Sequence, residues 1–398
     1  MKGGESPVIA PGFPEKSKLF QLLTTNDADD RMPQKGDALS AGEIDAIRTW
    51  IANGALFDGP DQHAPLASLI VRTEPEPPER YPAPWPLLAL AFSPDGTELA
   101  VGGYHEVTIW NSADGKLLRR IKRLPERIHA LAYSIDGKQL LVAGGAPGLS
   151  GAAVLCDPQQ ARIVRFLGRS SDTFLAAVIR PDGKWAAVGG ADNIIHIFNL
   201  AAEREEKSIQ QHADWVVDLA FSSDGSLLAS ASRDRTARLF KFPSGELETS
   251  YNEQEAPVTA IAFSADDKKL FSAGRDGKIH AWSASDAKKK NELANGNREV
   301  LRLVSAGEVL FSAGAEGLLR SHQVSDLTLV RAFSGANDWI FGLTVDRPSH
   351  RVAAGGKDGQ VRIWNSETGA LLLSFSASPG FPATARTAQV SGGNDPVH

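Results

Sequence analysis

An all-β repeat fold is the class this sequence predicts, and three observations carry it. One stretch, His212 to Lys241, holds three short apolar runs at 215–221, 227–232 and 236–240, with a fourth at 247–251. Gly/Asp turns separate them, Ser222-Ser223-Asp224-Gly225 and Asp234-Arg235, so four antiparallel strands make one blade of a β-propeller. The first turn then recurs as Pro94-Asp95-Gly96, Ile135-Asp136-Gly137, Pro181-Asp182-Gly183, Ser223-Asp224-Gly225 and Ala265-Asp266-Asp267. Degenerate forms follow at Ala306-Gly307 and Pro348-Ser349, and the steps are 41, 46, 42, 42, 40 and 42 residues. A fixed period of that length marks a repeat architecture. Seven units predict a seven-bladed propeller over residues 87–377, with a small α-helical segment before it.

That period and that turn resemble the WD-repeat family, whose fold is a β-propeller; the resemblance covers residues 86–377. In the family an Asp in the second turn, a Ser, a His before the first strand and a Trp in the third strand form a buried hydrogen-bond chain inside one blade. Asp192, Asp234, Asp276 and Asp358 match the aspartate, and Glu316 stands there in the sixth unit. Trp110, Trp282 and Trp364 match the tryptophan, and His212 the histidine, although its own unit has Phe240 in place of Trp. No unit holds the full set, so apolar packing between units is expected to carry more of the stability.

The first 59 residues read as helical. Pro14-Glu15 opens a short helix to Leu23, and Ser40-Ala41-Gly42-Glu43 is a capping box ahead of a second. Ile44, Ile47, Trp50 and Ile51 share one face, and Gly54 can stop it. The segments Gly3-Gly4-Glu5-Ser6-Pro7, Pro11 to Ser17 and Asp30-Arg31-Met32-Pro33-Gln34-Lys35-Gly36 resemble the planctomycete-type cytochrome c domain. That resemblance implies a bacterial source, and Met32 as the distal haem ligand. The residues alone also allow Met32 to be a gap-filling loop methionine. The family's Cys-x-x-Cys-His is absent, since Cys156 is the first and only cysteine. The expectation is therefore a partial cytochrome segment with a vestigial Met32 and no cofactor in this chain. Haem c is implied only for a longer, extracytoplasmic parent.

Residues 60–86 hold eight of the 23 prolines and predict a semi-rigid linker. Within the linker 66–73 could add a strand, but 371–375 already offers the last unit its fourth. The basic run 116–122 fits an edge strand that resists edge-to-edge pairing, and glycine-rich 144–151 fits a long turn. Residues 378–398, rich in Pro, Gly, Ser and Thr, predict a disordered tail.

A net charge of −6 excludes a general nucleic-acid or anionic-membrane binder without a concentrated basic patch. No apolar run reaches the ~20 residues of a membrane span, and no signal peptide opens the chain. The nine histidines are scattered, and neither His-Glu-x-x-His nor Gly-x-Ser-x-Gly occurs. The chain is expected to be no enzyme but a scaffold that binds proteins through one propeller face. Haem-linked electron transfer is the alternative if an upstream segment carries the attachment motif.

Counting back six residues from the end of each first strand gives Pro86, Arg127, Thr173, Trp215, Pro257, Arg298 and Trp339. Asp214-Trp215 and Asp338-Trp339 repeat one dipeptide three units apart. Two tryptophans and two arginines in seven places are rich in hot-spot residue types. Arg127, Asp214, Trp215, Arg298, Asp338 and Trp339 are the candidate partner-binding residues. The indoles could equally plug the channel mouth or pack between blades.

Overall fold

The computed structural model describes residues 7–27, 29–34, 37–56, 74–294, 296 and 298–381. The chain divides into two units, Met1–Leu69 and Ile70–His398. The possible strand at 66–73 and most of the expected tail lie outside the described residues.

The first unit holds a 3-10 turn (Pro14–Lys16), α1 (Lys18–Thr24) and α2 (Ala41–Ala52). The helix expected from Pro14 is divided at Ser17, whose Oγ takes the Ala10 N–H at 2.8 Å. The capping box forms as expected: Ser40 N–H donates to Glu43 Oε2 at 2.7 Å and Glu43 N–H to Ser40 Oγ at 3.4 Å. Phe20 and Ile51 are its buried apolar side chains.

The expectation of a cytochrome remnant is corrected here. The unit's described helices are two, of 7 and 12 residues, in a chain that is otherwise overwhelmingly β. Met32 is 41% exposed. The unit's described residues include no histidine or cysteine to complete an axial pair, and no group of three or more His, Cys, Asp or Glu could hold a metal among the described residues. Met32 is a loop methionine, and neither haem binding nor electron transfer is supported.

The described residues of the second unit form β-strands and the turns and loops between them. Its first sheet runs β1 (Leu90–Phe92), β2 (Glu98–Gly102), β3 (Tyr104–Asn111), β4 (Leu117–Tyr133), β5 (Leu140–Ala146), β6 (Ser150–Asp157) and β7 (Arg162–Ser170). Five four-stranded antiparallel sheets follow. They are β8 (Phe174–Ile179), β9 (Trp185–Gly190), β10 (Ile195–Asn199), β11 (Arg204–Ile209); β12 (Val216–Phe221), β13 (Leu227–Ser232), β14 (Ala237–Lys241), β15 (Leu247–Tyr251); and β16 (Val258–Phe263), β17 (Lys269–Gly274), β18 (Lys278–Ser283), β19 (Lys289–Ala294). The last two are β20 (Val300–Ala306), β21 (Val309–Gly314), β22 (Leu319–Gln323), β23 (Leu329–Phe333), and β24 (Ile340–Asp346), β25 (Arg351–Gly356), β26 (Gln360–Asn365), β27 (Leu371–Ser376). The 371–375 run fills the outer place of the last sheet, paired to β26.

The seven-stranded sheet is two repeats sharing β4. Its 17 residues serve as the outer strand of the first repeat and continue without a break as the inner strand of the second. The basic residues expected to guard an edge are paired: Arg119 Nη2 meets Glu98 Oε2 at 2.5 Å, and Arg120 Nε meets Glu106 Oε2 at 2.6 Å. The expected long turn at 144–151 shrinks to Pro147-Gly148-Leu149, because β5 and β6 pair as far as Ala146 and Ser150. Gly148 takes a left-handed φ of 69° there.

Apolar side chains alternate onto the faces between neighbouring sheets. Leu239, for example, packs with Phe263 and Trp282 of the next sheet. The last sheet packs on the first in the same way, Val361 and Ile363 against Leu90, Phe92 and Leu99. The extended segment after residue 74 joins this contact. Tyr81 N–H donates to Pro379 O at 3.0 Å and Leu87 N–H to Gly356 O at 3.1 Å. No helix among the described residues is long and apolar enough to cross a membrane.

Candidate functional site

The candidate site is built where the first strands begin. In five repeats the residue just before the strand's opening pair gives its carbonyl to an N–H of the turn between the second and third strands. Thr173 O accepts from Ala191, Trp215 O from Arg233, Pro257 O from Arg275, Glu299 O from Ala315 and Trp339 O from Lys357, all at 2.9–3.1 Å. This shared bond defines equivalent positions without reference to side chains. It places Glu299, not Arg298, beside Trp215 and Trp339. The count from sequence slipped by one because Ser305, not Val304, stands in the sixth repeat where Phe221 and Phe263 stand elsewhere. Ser305 pairs with Leu310 as Phe263 pairs with Leu270.

Both indoles are half-buried. Each is preceded by an aspartate whose Oδ1 accepts the tryptophan's own N–H at 2.8 Å. The repeated Asp-Trp dipeptide is therefore one local device, used twice to fix the backbone that presents a ring. Around Trp215, the Arg233 guanidinium lies over the indole at 4.2 Å, and Arg233 Nε is 3.8 Å from Asp214 Oδ2. Such a cation over an indole face stabilises by roughly 0.5–1 kcal/mol at an exposed site. Around Trp339, a cavity of about 470 Å³ is lined by Arg298, Glu316, Leu318, Asn337, Asp338 and the indole itself. The structure thus brings Arg298, Asp338 and Trp339 together even though Arg298 is off the common register. Arg127 is exposed, with its Nε 3.7 Å from Oε1 of its neighbour Glu126.

Sequence reasoning missed a third aromatic group. Trp85 is half-buried, its ring 4.9 Å from Tyr104 and 6.4 Å from Tyr81. Beneath it, Tyr81 Oη donates to Glu106 Oε1 at 2.7 Å, and Arg120 closes on the same carboxylate from the other side. Tyr104-His105-Glu106, which replaces the expected Asp turn, was the available signal.

The positions inside the repeats form partial chains. In the fourth, His212 Nδ1 meets Asp234 Oδ2 at 2.8 Å and Nε2 meets Ser230 Oγ at 2.7 Å, and the chain stops at Phe240. Burial alone would raise the Asp234 carboxyl, yet the hydrogen bonds from His212 and Thr236 hold it far below the carboxylate range. In the fifth, Trp282 Nε1 donates to Ser272 Oγ at 3.2 Å, and Ser272 Oγ donates to Gln254 Oε1 at 3.0 Å. Gln254 stands where His212 does, so the link onward fails, and Gln254 Nε2 and Asp276 Oδ2 have no hydrogen-bond partner among the described residues. Trp110 donates to Thr108 Oγ1 at 2.7 Å and Trp364 to Ser334 O at 2.8 Å. Asp358 Oδ2 binds Arg362 at 2.6 Å.

In the third repeat Asp192 Oδ2 accepts from Ser170 Oγ at 3.0 Å and meets His196 Nε2 at 3.0 Å, while Glu205 Oε1 meets His196 Nδ1 at 2.8 Å. Burial opposes a charge on His196, but the two carboxylates outweigh it and lift the ring to about 9. A histidine raised in the folded state contributes stability that is complete below its unfolded value near 6.5 and is lost as pH rises through about 9. Urea midpoints are therefore expected to fall between pH 6.5 and 9.5. At 1.36 kcal/mol per unit the contribution is at most about 3 kcal/mol. His196→Gln is expected to flatten that part of the profile; an unchanged slope in the variant would contradict the assignment.

Residues 203–241, 245–283 and 327–365 match the family described as WD domain, G-beta repeat. These stretches are similar to WD repeats. Each takes the outer strand of one sheet and the first three strands of the next: 203–241 spans β11 to β14, and 327–365 spans β23 to β26. The sequence repeat is thus offset from the sheet by one strand, which ties neighbours together covalently. Over 50 residues the chain is 38% identical to the Intraflagellar transport protein 122 homolog of Danio rerio and 36% identical to that of Xenopus tropicalis. Each alignment covers 13% of this chain and 4% of the relative's length. Both relatives are vertebrate proteins, so the bacterial source expected from the cytochrome resemblance is withdrawn along with it. WD repeats serve as non-catalytic scaffolds and typically carry no cofactor.

Proposed function

We propose that residues 87–377 close into a seven-bladed ring whose one face docks a protein partner through Trp215 and Trp339. The packing of the last sheet on the first supports closure, and the shared register of the two half-buried indoles supports the face. The observation that carries the reading is the paired Asp-Trp device. Two rings held by the same backbone bond, each with an arginine beside it, make preorganised anchors of the residue types that dominate protein interfaces. Arg127, Asp214, Arg298 and Asp338 serve as polar surroundings, and Trp85 with Tyr104 extends the aromatic area. Residues 60–86 act as the lead-in segment.

The test is the double substitution Trp215→Ala and Trp339→Ala. Capture of proteins from cell extract on the immobilised chain is expected to fall at least tenfold for the interacting species. The melting temperature is expected to move by no more than a few degrees, because both rings are only half-buried. A large drop in melting temperature, or capture left intact, would return both residues to a packing role.

A further inference from the structure

The first strands of the repeats leave a cavity of about 160 Å³ between them. Its lining side chains are apolar, Leu88, Leu131, Leu175 and Leu343 among them, except for three from three different sheets, although most of the surface it exposes is polar. These are His129 on β4, Asp218 on β12 and Arg302 on β20, and no other titratable residue lines the cavity among the described residues. All three are half-buried, so solvent reaches the space they line.

Their hydrogen bonding is incomplete in a directional way. Arg302 donates from Nη1 to Leu301 O at 2.9 Å and from Nη2 to Leu88 O at 3.4 Å, leaving further N–H groups of its fork. Its charge attracts the Asp218 carboxyl that lines the same cavity. Asp218 is engaged on both oxygens, Oδ1 by Leu219 N–H at 3.0 Å and Oδ2 by Ile261 N–H at 2.9 Å. His129 Nε2 has no partner. The unused N–H groups of the Arg302 fork and the unpartnered His129 Nε2 thus share one cavity with the Asp218 carboxyl.

We propose that this cavity binds a short-chain monocarboxylate, of formate to propionate size, with its head on Arg302 and His129 and its alkyl end against the leucines. A carboxylate matches the fork geometry of arginine, and the volume admits only a few heavy atoms. Two anions in one cavity repel, so Asp218 takes up a proton from solvent as the ligand enters. Its carboxyl is already pushed up to about 6 by burial, against the pull of Arg302 and the Ile261 and Leu219 N–H groups. His129 stays neutral over the same range, pushed down to about 4 by burial and by Arg302 and Arg127. Binding therefore strengthens as pH falls toward 6.

The experiment uses the full chain with sodium acetate, read by saturation transfer to the acetate methyl protons and by melting temperature, against sodium chloride at matched ionic strength. The expected result is saturable transfer, with affinity about tenfold higher at pH 5.5 than at pH 7.5, and a melting-temperature rise that chloride does not give. Arg302→Met is expected to abolish the transfer. If that variant loses wild-type circular dichroism, His129→Leu, which keeps the guanidinium, decides instead with an affinity loss of about fivefold or more. The tryptophan double variant is expected to bind acetate normally, which separates this site from the docking face. No transfer in the wild type, equal transfer in the variant that decides, an equal chloride effect, or affinity flat with pH overturns the proposal.

Discussion

Arg120→Met is expected to destabilise the β unit by about 3–5 kcal/mol, the usual cost of leaving a buried charge without its partner. Glu106 is fully buried, and its two oxygens are met by Arg120 Nε at 2.6 Å, Arg120 Nη2 at 2.9 Å and Tyr81 Oη at 2.7 Å. Arg120 also donates from Nη2 to Pro78 O at 2.7 Å and from Nη1 to Glu79 O at 3.3 Å, so it fastens the segment after residue 74 to the first repeat. Methionine keeps most of the stem but removes every one of these donors. The companion variant Arg120→Met with Glu106→Gln is expected to recover a substantial part of the loss, since no orphaned carboxylate remains. Urea unfolding followed by far-ultraviolet circular dichroism reads both. A single-variant cost under about 1 kcal/mol, or no recovery in the double, would show that water already reaches Glu106.

Trp282→Ala is expected to cost a similar amount, about 3–5 kcal/mol for a large aromatic removed from a core. The indole is fully buried, stacked on Tyr251 at 5.1 Å and 2°, and bonded through Nε1 to Ser272 Oγ at 3.2 Å. It packs in the same cluster as Leu239 and Phe263, so its loss opens the contact between the fourth and fifth repeats. Trp282→Phe keeps the stack and gives up the hydrogen bond, and is expected to cost about 1–2 kcal/mol. Unfolding is expected to broaden in Trp282→Ala, because repeat arrays lose cooperativity where one interface weakens. A sharp transition with an unchanged midpoint would mean that the neighbouring sheets collapse onto the vacancy.

The hydrogen-bond chains show how family resemblance and side-chain placement part company. Trp282 and Asp276 sit in one repeat and match the expected pattern, yet Gln254 interrupts the chain between them. His212 and Asp234 do meet, but Phe240 ends their chain. The N-terminal resemblance failed for a related reason. A methionine in a Pro-rich loop is a local feature, whereas a haem site needs a second ligand and burial; the unit's described residues include no histidine or cysteine, and Met32 is 41% exposed.

What the sequence determined by itself is local. The Asp-Gly turns, the small apolar second strands, the fourth strand at 371–375 and the Ser40–Glu43 cap each depend on residues within a few positions of one another, so their chemistry is written contiguously. The order and period of the repeats follow from the same turns. Only the tertiary structure decided what depends on residues far apart in the chain. It moved the sixth repeat's register by one, because a backbone bond from Ala315 to Glu299 sets that position and the apolar pattern, broken at Ser305, does not. It joined Tyr81 and Glu106 to Arg120. It brought His129, Asp218 and Arg302 to one cavity from three sheets, since side chains that converge between first strands are separated by whole repeats in the sequence.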